Sequence, residues 1–106
     1  MRHGEVCWYR FSAPDKKRPV LILTRDSALE VLGEVTVAPI TSTIRDIPSE
    51  VSLSPDRDGM PRECAINLDH LQTVGRGKVG PLITTLSPGR LEEVRAALLF
   101  ALGFRR

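Results

Sequence analysis

Apolar and β-favouring residues come in short runs separated by turn-forming clusters, a pattern that predicts a sheet rather than a stack of helices. Glu5-Val6-Cys7-Trp8-Tyr9-Arg10-Phe11 reads as a first strand, halted at Ser12-Ala13-Pro14-Asp15. After the basic triplet Lys16-Lys17-Arg18 comes a continuous apolar run, Pro19 to Thr24, which predicts a strand buried on both faces. Asp26 to Leu32 has room for one or two helical turns before Gly33 ends it. Glu34 to Ala38 predicts a third strand, stopped by Pro39 and followed by Ile40-Thr41-Ser42-Thr43. Ser49 to Leu53 alternates polar and apolar positions as a half-buried strand does, and Ser54 to Pro61 reads as a turn-rich loop. Two more strands are predicted, Glu63 to Leu68 and Leu71 to Val74. A basic loop bracketed by Gly75, Gly77 and Gly80 follows, then a last short strand, Leu82 to Leu86.

The clearest local signal closes the chain. Ser87 is an N-cap, Pro88 takes the first helical position and Gly103 follows the last periodic residue. Leu91, Val94, Leu98 and Leu102 fall on one stripe with Ala101 beside it, while Glu92 and Glu93 suit the positive end of the helix dipole. The elements together predict a mainly β protein, a strongly curved antiparallel sheet or small barrel with a C-terminal helix packed on it.

A chain of 106 residues suits a single domain spanning 1–106, with a core adequate enough to fold but small enough that association would add useful buried area. The 42% hydrophobic fraction is that of a globular protein and too high for a disordered one. Fifteen basic against thirteen acidic residues leave a formal charge of +2, which by itself does not announce a nucleic-acid partner. Their positions change the picture. Lys16, Lys17, Arg18, Arg45, Arg57, Arg62, Arg76 and Lys78 all stand at or between the ends of apolar runs, so a phosphate-binding face is permitted. Cys7 and Cys64 form no C-x-x-C pair, and with His3 and His70 they offer no ligand spacing; no metal and no cofactor is expected. The scarcity of cysteine, the lack of a leader-like start and the absence of an apolar run near the ~18 residues a membrane helix needs predict a cytoplasmic protein with reduced thiols.

Five motifs, in order across nearly the whole chain, resemble the MazF/PemK (Kid) toxins. Gly4-Glu5-Val6 with Trp8 looks like their first strand, and Arg18-Pro19-Val20-Leu21-Ile22-Leu23-Thr24 resembles their second. Val37-Ala38-Pro39-Ile40-Thr41-Ser42 is similar to their V-A-P-[IL]-T-[ST] segment, followed by Ile47-Pro48-Ser49-Glu50-Val51, and Leu86-Ser87-Pro88 through Leu102-Gly103 looks like their closing helix. The resemblance implies the curved, SH3-like sheet shared with the CcdB gyrase poisons and a homodimer. It also implies sequence-selective cleavage of single-stranded RNA, and neutralisation by a MazE-like antitoxin whose tail lies across the RNA site. It places the family's catalytic arginine on Arg18 and its catalytic threonine on Thr41. Two departures stand out. The loop between the first two strands is short, and the family's C-D-Q-[IP]-R-T segment appears as Leu68-Asp69-His70-Leu71-Gln72-Thr73, with Asp69 retained and Asn67 where some relatives carry arginine.

The residue chemistry agrees with that resemblance as far as it goes. Metal-free RNA cleavage needs proton removal from a 2′-hydroxyl, donors for the phosphorane oxygens and a proton for the leaving oxygen. Arg18 offers a planar fork for two phosphate oxygens, and Thr41 a hydroxyl to orient the reacting groups; neither is an obvious base. Lys16, Lys17, Ser42, Thr43, Arg45 and Asp69 are the candidate RNA contacts. Each has an ordinary reading beside it: Arg18 as a solvated strand edge, Thr41 as a turn hydroxyl bonded to its own backbone, Asp69 as a turn closure. Trp8 stacks a base or packs in a core or dimer, the two cysteines read as buried thiols, and nothing in spacing brings His3 and His70 together. On the same fold a non-enzymatic CcdB-like gyrase poison and a catalytically inactive RNA-binding module are the alternatives, and a retained Arg18 and Thr41 favour the enzyme.

Overall fold

Backbone direction along the second strand explains how this sheet is built. The structure is a computed structural model that describes residues 1–11 and 16–104; the stop at Ser12 to Asp15 lies outside the described residues. Strand β1 (Glu5–Arg10) pairs antiparallel with β2 (Lys17–Ile22), and β2 with β3 (Glu34–Thr41), α1 (Asp26–Leu29) lying between them in sequence. β4 (Glu50–Leu53) and β5 (Cys64–Asn67) pair across a single helical turn, α2 (Pro55–Asp58), where the sequence predicted only a loop. Ser54 caps that turn through its Oγ and Gly59 ends it in the left-handed region at φ 73°, which is why a proline and three charged residues hold a helical turn. β6 (Gln72–Gly75) pairs with the first half of β3, and β7 (Val79–Thr85) with β1. The strand order is β4-β5-β3-β2-β1-β7, with β6 also on β3. β4 and β7 end the order unpaired with each other, so the sheet stays open rather than closing into a barrel.

Successive side chains of a strand point to opposite faces, and here both faces are covered. On one, Val6, Leu21, Ala38, Leu53 and Ile66 pack with Val94 and Ala97 of α3 (Pro88–Ala101); on the other, Cys7, Val20, Ile22, Val35 and Val37 pack with Leu29 of α1. Val20, Leu21 and Ile22 are fully buried, the outcome expected of an uninterrupted apolar run.

Two further expectations are corrected. Strand β3 does not stop at Pro39 but runs through it to Thr41. The Leu23 N–H donates to the Thr36 carbonyl (3.0 Å), so β3 residues of even number turn their backbone groups to β2 and those of odd number turn theirs away. Pro39 therefore faces the side on which β6 has already ended, at Val37–Gln72, and β5 begins, at Ile40–Ile66. A missing donor interrupts no ladder there. Leu102 also leaves the helix stripe: it is 54% exposed, while Ala97 is buried and Leu91, Leu98 and Ala101 pack partly against the core. The cause is the helix end. Phe104 N–H donates to the Leu99 carbonyl (2.8 Å) and Gly103 N–H to Phe100 (3.1 Å), a Schellman closure that needs Gly103 at φ 83° and turns Leu102 outward. The N-terminal signal is realised: Ser87 Oγ accepts from the Arg90 N–H at 3.2 Å.

Candidate active site

The same backbone alternation creates the site. Phe11 N–H donates to the Lys16 carbonyl (3.0 Å) and Leu23 N–H to Thr36, so even residues of β2 face β1 and odd ones face β3. After Leu21–Ala38, the next bonded pair of the β2–β3 ladder would join Pro19 to Ile40, and Pro19 has no N–H to give. The pairing ends at Val20–Pro39. Beyond it β2 continues with β1 as far as Lys17–Arg10, and β3 continues with β5 to Thr41–Ala65. A cleft of ≈ 340 Å³ opens at this fork.

Lys16, Lys17 and Arg18 line it from the start of β2, and Thr41 and Ser42 from the end of β3. Trp8, Ile40 and Cys64 supply apolar surface, and Met60, Pro61 and Arg62 add a wall from the segment after α2. Every charged side chain among these is cationic. Among the described residues none of Lys16, Lys17, Arg18 and Arg62 makes a side-chain hydrogen bond or ion pair, so their charge is turned on the cleft and its solvent. Such a cleft attracts anions.

Thr41 takes up the hydroxyl turn and still lines the cleft. Its Oγ1 accepts from the Thr43 N–H at 3.1 Å, closing a hydroxyl turn. A hydroxyl has one hydrogen and two lone pairs, so that contact leaves the hydrogen free to be donated into the cleft. Thr43 thus fixes Thr41 through its backbone, and it does not itself line the cleft. Arg45 and Asp69 are not brought there either. Arg45 donates from its N–H (3.0 Å) and its guanidinium (3.3 Å) to Glu50. Asp69 accepts from Ser49 Oγ (2.6 Å) and gives its N–H to Asn67 Oδ1 (2.9 Å), so it closes a turn between Ser49 and the 3₁₀ segment Leu68–His70.

Among the described residues no imidazole or carboxylate lines the cleft. His3 lies elsewhere, with its N–H on Asp26 (2.7 Å) and Nδ1 3.0 Å from the Leu23 carbonyl, and His70 is absent from the lining. Burial above all, with Asp58 and Glu63 nearby, pushes the Cys64 thiol up to about 11, so it stays protonated and acts as apolar lining. Among the described residues no three His, Cys, Asp or Glu side chains gather where they could hold a metal ion. The wall from Met60 to Arg62 was missed in the sequence; the only signal was Arg62 as one of several cations between apolar runs.

The comparisons with known proteins fall on the whole of this architecture. The sequence profile of the PemK-like, MazF-like toxin of type II toxin–antitoxin systems matches residues 2–102. A relative described as a probable endoribonuclease MazF2, from Mycobacterium tuberculosis, is 38% identical over 103 residues, covering 97% of this chain and 99% of its own. Among solved structures, the Mycobacterium tuberculosis toxin MazF-mt6 superposes with a TM-score of 0.86 at 30% identity, over 96% of this chain and 99% of that one. An endoribonuclease in complex with its cognate antitoxin, from a mycobacterial species, superposes with a TM-score of 0.84 at 25% identity, over 100% of this chain and 98% of the other.

Proposed function

The chain belongs to the PemK-like, MazF-like toxins of type II toxin–antitoxin systems, and from that premise we propose that the fork between β2 and β3 is an RNA-cleaving site. The protein is an endoribonuclease toxin neutralised by an antitoxin. Its substrate is single-stranded RNA, cut at a short preferred sequence without a metal ion. The observation that carries this reading is the junction of Arg18 and Thr41, 23 positions apart in sequence, in one cleft whose charged groups, among the described residues, are all cations.

The reaction follows from what those groups can do. The 2′-oxygen attacks the adjacent phosphorus, the bond from phosphorus to the 5′-oxygen breaks, and the proton lost by the 2′-hydroxyl is matched by one gained at the leaving oxygen. The products are a 2′,3′-cyclic phosphate and a 5′-hydroxyl. Arg18 stabilises charge on the non-bridging oxygens through its two-pronged fork, and Thr41 donates its free hydrogen to orient the 2′-oxygen or the phosphate. Lys16, Lys17 and Ser42 hold flanking RNA, while Thr43, Arg45 and Asp69 support the site by shaping the segments around it. The antitoxin competes for the same cleft, the active form is a homodimer of one-domain subunits, and the RNA substrate places the toxin in the cytoplasm. No helix is long and apolar enough to cross a membrane among the described residues. The gyrase-poison alternative needs no cleft of this kind, and an inactive RNA-binding module needs its cations but no reacting hydroxyl at Thr41.

The test is incubation of purified protein with a long RNA transcript in excess EDTA, followed by analysis of the fragment ends. Cleavage that persists and leaves 5′-hydroxyl ends is expected. Cleavage abolished by chelator and restored by magnesium would refute the metal-free reaction, and intact RNA would refute the enzyme.

A further inference from the structure

Arg62 enters the cleft from a segment that the reaction above leaves idle, and that segment is anchored at both ends. Gly59, at φ 73°, packs so that a Cβ there would meet Thr84 Oγ1 of β7 at 3.1 Å. Met60 and Cys64 are both buried, and Arg62 stands halfway between these anchors with the ring of Pro61 before it. A side chain mounted on such a segment loses little backbone freedom when it takes a ligand.

Beside that segment lies an ion network. Arg90 of α3 reaches Asp58 with Nε (2.9 Å) and Nη2 (3.1 Å) and Glu93 with Nη1 (3.1 and 3.2 Å). The Asp58 side chain is 3% exposed, and its Oδ2 also accepts from the Ser54 N–H at 2.9 Å. The network ties α2 to the first turn of α3, and it occupies both oxygens of the carboxylate four positions before Arg62. Arg62 is exposed and, among the described residues, has no hydrogen-bond or ion-pair partner. β3 separates β2 from β5 in the sheet, so the segment leading into β5 stands about two strand spacings, ~10 Å, from the start of β2. Arg18 and Arg62 therefore enter the cleft from opposite sides of β3, an arrangement that lets each take its own phosphate of an extended strand.

We propose that Arg62 binds a backbone phosphate beside the scissile one, and that the Asp58–Arg90–Glu93 network is the positioning device that aims it. This rests on the endoribonuclease reading. The experiment is single-turnover cleavage of one fixed RNA transcript over a range of protein and salt concentrations, with thermal melts confirming that each variant is folded at the assay temperature. Arg62→Ala raises the half-saturating protein concentration about tenfold and leaves the saturating rate nearly unchanged, as loss of a charged contact in the ground state does. Its salt slope falls by about 0.7, the value for one phosphate contact on a single strand, and Arg62→Lys restores the slope. Asp58→Asn weakens half-saturation in the parent protein but adds nothing on top of Arg62→Ala, because its effect passes through Arg62. Where Asp58→Asn melts too low, Arg90→Lys, which keeps charge without the fork, takes its place. A parent protein that cuts while Arg62→Ala matches it in half-saturation and slope overturns this proposal alone. Full additivity of Asp58→Asn with Arg62→Ala overturns the positioning role. A parent protein that neither binds nor cuts the transcript overturns both readings together.

Discussion

Replacing Arg18 by alanine separates chemistry from folding more cleanly than any other change in this protein. The side chain is exposed and, among the described residues, unpartnered, so its removal leaves no orphaned group and shifts stability by no more than about 0.5 kcal/mol. The cost to the transition state is far larger. A guanidinium about 4 Å from a developing negative charge, at an effective dielectric of about 20, contributes about 4 kcal/mol. Loss of one such preorganised donor typically costs about 2.7–4 kcal/mol, a rate loss of about 10²–10³, so two independent routes give the same size. Lys16, Lys17 and Arg62 keep the cleft positive in the variant, which preserves RNA attraction and confines the loss to the rate. Arg18→Lys recovers little, since an ammonium offers no planar fork. Single-turnover cleavage at saturating protein, with circular dichroism melts as the folding control, measures both quantities. A folded Arg18→Ala protein cutting at the parent rate would refute the assignment, and one that melts far below the parent would show Arg18 to be structural.

Three further outcomes follow from the geometry. Thr41→Val keeps the branched shape but removes the donor and the acceptor of the Thr43 N–H, so the rate should fall about tenfold while Thr41→Ser keeps most of it; equal rates for the two would exclude the hydroxyl. Burial raises the Asp58 carboxyl, but hydrogen bonds from Arg90 and the Ser54 N–H outweigh it and leave the group below its ordinary value. Its stabilising contribution is therefore complete above about pH 4 and lost as the pH falls through the lowered folded value. Asp58→Asn should be about 3 kcal/mol less stable than the parent at neutral pH, a gap that closes in acid; denaturant titrations showing a pH-independent gap would contradict this. Cys64, pushed up to about 11, should alkylate slowly in the folded protein at pH 8 and rapidly in denaturant, and peptide mapping that finds it readily labelled in the native state would contradict its protonated, buried role.

Signals confined to a few neighbouring residues were legible in the chain itself. The uninterrupted run in β2 required burial on both faces, and Ser87-Pro88 with Gly103 marked both ends of α3, because caps and turns act within one helical turn of the residue that makes them. The short motifs, through the family resemblance they carry, pointed to Arg18 and Thr41, and the fold brings both to one cleft. What lay beyond reach was set by which strand borders which. Pro39 looked like a stop because a missing N–H is costly in a ladder, and only the handover from β6 to β5 on its outer side makes it harmless. Pro19, by contrast, faces β3 and ends the pairing, so one proline passes through a strand and the other opens the cleft. Arg62 reaches that cleft because Gly59 turns the chain and Arg90, 28 positions further on, holds Asp58, while Asp69 and Arg45 are taken by Ser49 and Glu50. Composition and periodicity report how each segment meets water. Which cations are left free to meet a phosphate depends on partners that only long-range pairing brings within hydrogen-bond reach.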